Sequence, residues 1–145
     1  MARIFTSSVI GSSAEQVWKR IRDFNGLPGW HPRIRDSRIE EGLPSDKIGC
    51  VRSIHLQNGD AIREQLLGLS DYDCFYTYAI LESPMAVSDY VATLRVTPVT
   101  DGERSFVEWS AEFECPPAEE NALTRTIGTD VFQGGFDALK RHFGE

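Results

Sequence analysis

A few side chains in this sequence can do chemistry, and the first pair to consider is Arg52 with Glu64. Both fall on segments with the two-residue period of strands, and Asn58-Gly59 between them readily takes the positive φ of a tight hairpin turn. An arginine on an otherwise apolar strand face must stay hydrated or meet a counter-charge, because an unpaired buried charge is very costly. Glu64 on the adjacent strand is its natural partner. Such a pair either orients a polar ligand group or a water cluster, or is a structural bridge at the open end of a sheet.

His31, between Trp30 and Pro32, can donate to a ligand oxygen or move a proton near neutral pH, or else it is a surface loop histidine. His55 is expected to point outward and His142 to lie in a last helical turn, so the three histidines make no metal site. Tyr76, Tyr78, Tyr90 and Trp109 combine broad apolar faces with hydrogen-bonding tips, which suits a flat, partly oxygenated ligand or plain core packing. No nucleophile motif, phosphate-cradling glycine loop or zinc spacing occurs, and Cys115 before Pro116 has no evident base partner. Covalent catalysis and a resident cofactor are not expected.

These residues need elements to hold them. A first strand near 3–10 is followed by Ser12/Glu15 and Ser13/Gln16, two capping-box matches that open a helix with Val17, Trp18, Ile21 and Phe24 as its apolar stripe. Asn25-Gly26 ends it, and residues 27–32 read as a tight turn or a second, very short helix. From 34 to 115 the period is two, with strands expected near 34–41, 48–57, 60–70, 73–82, 89–98 and 104–115. The alternating set Cys50, Arg52, Ile54, Leu56; Tyr76, Tyr78, Ile80; Tyr90, Ala92, Leu94, Val96; and Val107, Trp109, Ala111, Phe113, Cys115 is expected to face inward. Phe106, Glu108, Ser110, Glu112 and Glu114 form the wetted face of the last strand. Leu123, Ile127, Val131, Phe132, Phe136, Leu139 and Phe143 recur at three- and four-residue steps, which predicts a helix over 118–143 that covers the concave sheet. Gly134-Gly135 in its middle costs roughly 1 kcal/mol per glycine against alanine, so something there needs close approach: a ligand, a kink or tight contact with the sheet.

One α+β domain over residues 1–145 follows, with no repeat or linker. Fifteen basic residues against 22 acidic ones give a charge of −7, which repels phosphate backbones and anionic membranes, so nucleic acid and integral membrane association are not expected. Three well-separated cysteines, Cys50, Cys74 and Cys115, fit neither a disulfide framework nor paired metal thiolates, and with no signal-like amino terminus they point to the cytoplasm.

The order of strand, short helices, six-stranded meander and long terminal helix resembles the START-like, or SRPBCC, superfamily, which includes birch-pollen-allergen-like proteins and polyketide cyclases. The resemblance is carried by Val17-Trp18, Trp30-His31-Pro32, Gly49-Cys50-Val51-Arg52, Arg63-Glu64-Gln65-Leu66, Leu69-Ser70-Asp71 and Tyr90. Within the superfamily the chain is similar to the bacterial polyketide cyclase/dehydrase-type group and, more distantly, to plant abscisic acid receptors. The resemblance implies a helix-grip fold, a curved antiparallel sheet of about seven strands wrapped around a long C-terminal helix with two short helices after the first strand. The ligand then lies between sheet and helix. Arg52, Glu64 and Tyr90 match the receptors' polar pocket residues, whereas His31 replaces a ligand-binding lysine, Ala92 a serine, and Gln57-Asn58-Gly59-Asp60 a proline-containing gate turn. Hormone gating and phosphatase binding are therefore not carried over.

The expected pocket takes Trp30, His31, Arg52, Ile54, Glu64, Tyr78, Tyr90, Trp109 and Phe113 from the sheet side, and Val131 and Gly135 from the helix. Its occupant is a small hydrophobic or aromatic, polyketide or lipid-like compound, carried by a monomer or homodimer. The alternative is a cofactor-independent cyclase or dehydratase, with Arg52 fixing a carbonyl and His31, Glu64 or Tyr90 exchanging protons.

Overall fold

The computed structural model describes residues 1–144. Seven antiparallel strands form one sheet: β1 (Ala2–Ile10), β2 (Ile34–Ile39), β3 (Val51–Leu56), β4 (Ala61–Ser70), β5 (Phe75–Glu82), β6 (Ser88–Val99) and β7 (Arg104–Glu114). Their order is β1-β7-β6-β5-β4-β3-β2, so the last six strands are a meander and β1 closes onto β7. Register shifts interrupt β2–β3 at Ile34/Asp36, β4–β5 at Arg63/Glu64 and Leu66/Gly68, and β6–β7 at Ser88/Val91. Such bulges bend a strand and raise its twist, which curves the sheet.

The expected alternation holds on each inner strand. Arg52 and Ile54 of β3, Tyr76 and Tyr78 of β5, Tyr90, Ala92, Leu94 and Val96 of β6, and Val107, Trp109, Ala111 and Phe113 of β7 are all buried. Ile62, Glu64 and Leu66 continue this face on β4. Two short elements follow β1. Helix α1 (Ala14–Ile21) is capped by the Ser13 hydroxyl, which accepts from the Gln16 amide at 3.3 Å, and it buries Val17, Trp18 and Ile21. A single 3-10 turn, Leu27–Gly29, then carries the chain to Trp30.

The terminal helix departs from expectation in one respect. It begins as α2 (Glu120–Arg125), widens into a π-helical stretch (Thr126–Gln133) and resumes as α3 (Gly134–His142), with right-handed helical φ and ψ at both junctions. A π turn spaces its hydrogen bonds five residues apart, and here Ile127 and Phe132, five apart, are both buried. Gly128 in this stretch lies against β1: a Cβ there would meet the Ile4 side chain at 3.3 Å, and the Thr6 hydroxyl donates to the Gly128 carbonyl at 3.4 Å. Among the described residues no helix is long and apolar enough to cross a membrane.

Candidate functional site

Arg52 is fully buried, and its partners come from two directions. Its Nε donates to Glu64 Oε1 at 2.8 Å, Nη2 lies 2.7 Å from the same oxygen, and Nη1 donates to the Phe24 carbonyl at 2.8 Å. The register of β3 on β4 sets Arg52 directly opposite Glu64, so the hairpin itself builds the pair. The guanidinium also lies over the Phe24 ring, 3.9 Å from its centroid, and 5.0 Å from that of Tyr78. Burial works against the Arg52 charge, but the Glu64 carboxylate and the tyrosines outweigh it, and its pKa rises above the usual arginine value. The two side chains form a buried salt bridge.

From Glu64 the polar line continues through phenols. The Trp109 indole N–H donates to the Tyr78 hydroxyl at 3.1 Å, with the buried Tyr90 nearby. Burial pushes the pKa of both phenols up, and the Glu64 charge adds to the rise at Tyr90. Both stay protonated and remain hydrogen-bond donors.

These groups border a hollow of about 230 Å³ between the sheet and the terminal helix. Its walls are mainly aliphatic, from Leu27, Ile34, Ile54, Ile62, Ile80, Ile127 and Val131. The exposed Asn58 and Asp60 of the β3–β4 turn, Arg33, and Pro84 and Met85 of the β5–β6 loop stand at its rim.

Of the expected pocket residues, His31, Arg52, Ile54, Glu64, Tyr78, Tyr90, Trp109 and Val131 border this hollow, and Trp30, Phe113 and Gly135 do not. Phe113 is stacked behind Tyr90, with ring centroids 5.7 Å apart. Trp30 packs between His31 and Trp109. Gly135 lies beneath these rings: a Cβ there would meet Trp30 Cζ3 and His31 Cδ2 at 3.0 Å and Trp109 Cζ3 at 3.1 Å. The glycine therefore makes room for sheet-side aromatics, not for a ligand. Gly134 has no such neighbour.

His31 is not the surface loop histidine of the second alternative. It is 1% exposed, its Nδ1 accepts from the Arg33 amide at 3.2 Å, and its Nε2 lies 2.7 Å from the Val131 carbonyl. With Nδ1 accepting, Nε2 must carry the proton and donate to Val131. Burial lowers its pKa, the Val131 bond offsets this in part, and the imidazole is held neutral. Both nitrogens are committed to main chain, so the ring ties the loop to the helix.

The sequence reading missed Ile62, Ile80 and Ile127 as walls. The two-residue step from Glu64 back to Ile62 and the helical stripe containing Ile127 carried that signal. In the sequence, the rim residues Asn58 and Asp60 signal only a turn. Among the described residues no cluster of histidine, cysteine and carboxylate could hold a metal ion, and Cys50, Cys74 and Cys115 are free thiols.

Comparison with known proteins gives the same architecture. Residues 1–144 match a family model described as polyketide cyclase / dehydrase and lipid transport. The chain is 34% identical to the protein XoxI from Bacillus cereus, with a TM-score of 0.88 over 99% of this chain and 96% of that one. A START superfamily protein from Mycobacterium smegmatis (TM-score 0.80, 11% identity) and the ginseng major latex-like protein 151 from Panax ginseng (TM-score 0.78, 18% identity) share the fold. The first spans 99% of this chain and 97% of its own, the second 99% and 98%. By the match of its full described length, the chain belongs to the polyketide cyclase / dehydrase and lipid transport family.

Proposed function

We propose that this protein binds or carries a small, largely apolar organic compound in the hollow between its sheet and terminal helix. The observation that carries this reading is an aliphatic-walled space of about 230 Å³ with one buried salt bridge and two phenols converging on it. An apolar cavity of about 150 Å³ accepts a benzene ring, and pockets for drug-sized ligands start near 300 Å³. A single substituted ring suits this volume, and a long acyl chain would require the rim to open. The negative net charge and free cysteines fit a cytoplasmic setting without nucleic acid.

A second reading, acid–base chemistry on such a compound, is favoured by one observation. Glu64, salt-bridged to Arg52, and Tyr90, whose phenol burial keeps protonated, border the same space as an acceptor and a donor. His31 has no part in it, because its nitrogens are occupied.

Native mass spectrometry of the purified protein, set beside the same sample after denaturation, tests the binding reading. A copurifying small molecule lost on denaturation is the expected result. Failure to retain any ring compound, even when added in excess, would sink it.

A further inference from the structure

Resting on the binding reading above, the polar end of the hollow carries information about the ligand's head group. Arg52 is the cation there, and its charge is met by Glu64: Nε donates to Oε1, Nη1 donates to the Phe24 carbonyl, and Nη2 is fully buried 2.7 Å from Oε1, though it makes no aligned hydrogen bond. The pair is neutral as a unit. At the rim, Arg33 is engaged with Asp130 at 3.7 Å, and Asp60 adds a negative charge. An anionic head group at the buried end of this space would lose its water and meet only the already paired Arg52, at a heavy cost in free energy.

A hydroxyl fits where a carboxylate does not. Both Arg52 contacts fall on Oε1, and among the described residues no side chain donates to Glu64 Oε2. That oxygen is an acceptor on a side chain that borders the hollow. Beside it, the Trp109 indole N–H donates to the Tyr78 hydroxyl, and Tyr90, which also borders the hollow, has a phenol proton that no side chain among the described residues accepts. One acceptor and one donor are therefore carried by side chains that border the same small volume. A hydroxyl uses both, giving its proton to Oε2 and accepting from Tyr90. A carboxylate can only accept, and it would face the Glu64 charge.

We propose that the ligand is a neutral ring compound carrying a phenolic or enolic hydroxyl, which Glu64 Oε2 and Tyr90 recognise, and that Glu64 rejects the corresponding carboxylate. The selectivity comes from the neutralised Arg52. It is a property of the pair, not of either residue alone.

Calorimetric titration at neutral pH with para-cresol, toluene and para-toluate, one ring with three head groups, tests this. The expected result is para-cresol at least about tenfold tighter than para-toluate, with toluene measurably bound. In Glu64→Gln the Arg52 charge is released, so para-toluate should gain affinity and the order should reverse. Toluene binding while the wild-type protein holds para-toluate as tightly as para-cresol would overturn the head-group proposal and leave the binding reading intact. If none of the three binds, the binding reading itself falls and takes the proposal with it. The wild-type series decides the matter even where Glu64→Gln does not fold.

Discussion

His31 Nε2 donates to the Val131 carbonyl across 2.7 Å, joining the loop after α1 to the π-helical stretch 100 residues later. The bond fixes one wall of the hollow to its floor, and the ring meets a backbone acceptor that only the folded chain brings near. His31→Ala leaves two part-buried main-chain groups, the Val131 carbonyl and the Arg33 amide, without their side-chain partner. Each such loss costs about 1–3 kcal/mol, so the variant should lose at least that much in denaturant unfolding. A change below about 0.5 kcal/mol would refute the clamp.

The same ring makes stability depend on pH. Folding lowers the His31 pKa below its ordinary value of 6.5. Above pH 6.5 the imidazole is neutral in both states and the stabilisation is complete. As pH falls through 6.5 the unfolded chain takes up a proton that the folded one refuses, and stability drops until the folded pKa is passed. His31→Gln cannot titrate there. Melting temperatures at pH 8 and pH 5 should therefore fall further for the wild type than for His31→Gln, and equal losses would remove His31 from the acid response.

Gly134 and Gly135 separate two effects that their sequence cannot. Alanine at 134 meets nothing closer than the Thr129 carbonyl at 3.7 Å, so it should stabilise the helix by up to about 1 kcal/mol. Alanine at 135 places a methyl group about 3 Å from three rings packed on one another, and overpacking of this kind costs about 1–3 kcal/mol. Opposite signs in urea unfolding are expected for the two variants. Two stabilising alanines would mean the rings can move aside.

Arg52 and Glu64 predict a strongly coupled pair. Arg52→Met leaves the Glu64 carboxylate in an apolar surround, and breaking a buried pair in this way costs about 3–5 kcal/mol. Adding Glu64→Gln removes the stranded charge, so the double variant should be more stable than Arg52→Met alone. Additive losses in a double-mutant cycle would show two independent residues and leave the neutral-pair argument without a basis.

Much of this fold was legible because the strands alternate. On β7 the buried Val107, Trp109, Ala111 and Phe113 are interleaved with polar neighbours, and the two-residue period can be read in only one way. Arg52 opposite Glu64 followed from one hairpin turn. The π stretch was not legible, because Ile127 and Phe132 fit a helical stripe whether hydrogen bonds close over four residues or five. The role of His31 was hidden for a different reason: its partner is a main-chain carbonyl far along the chain, and backbone groups carry no residue-type signal. Gly135 announced a close approach in the sequence, but the rings that approach it come from the loop and from β7.

The hollow itself can be closed by substitution. Ile80 borders it from β5, is half-buried, and sits on a strand, where phenylalanine is a favoured residue. Ile80→Phe adds volume toward the open space and not into packed core, so little of the usual overpacking penalty applies and the melting temperature should hold or rise. Binding should fail nonetheless, because a ring built into about 230 Å³ leaves too little room for a second. A variant that melts as the wild type does and still retains the copurifying compound or toluene would place the ligand elsewhere on the protein. A variant that loses both stability and ligand would instead mark Ile80 as core, and Ile127→Phe from the helix side would then repeat the measurement across the same space.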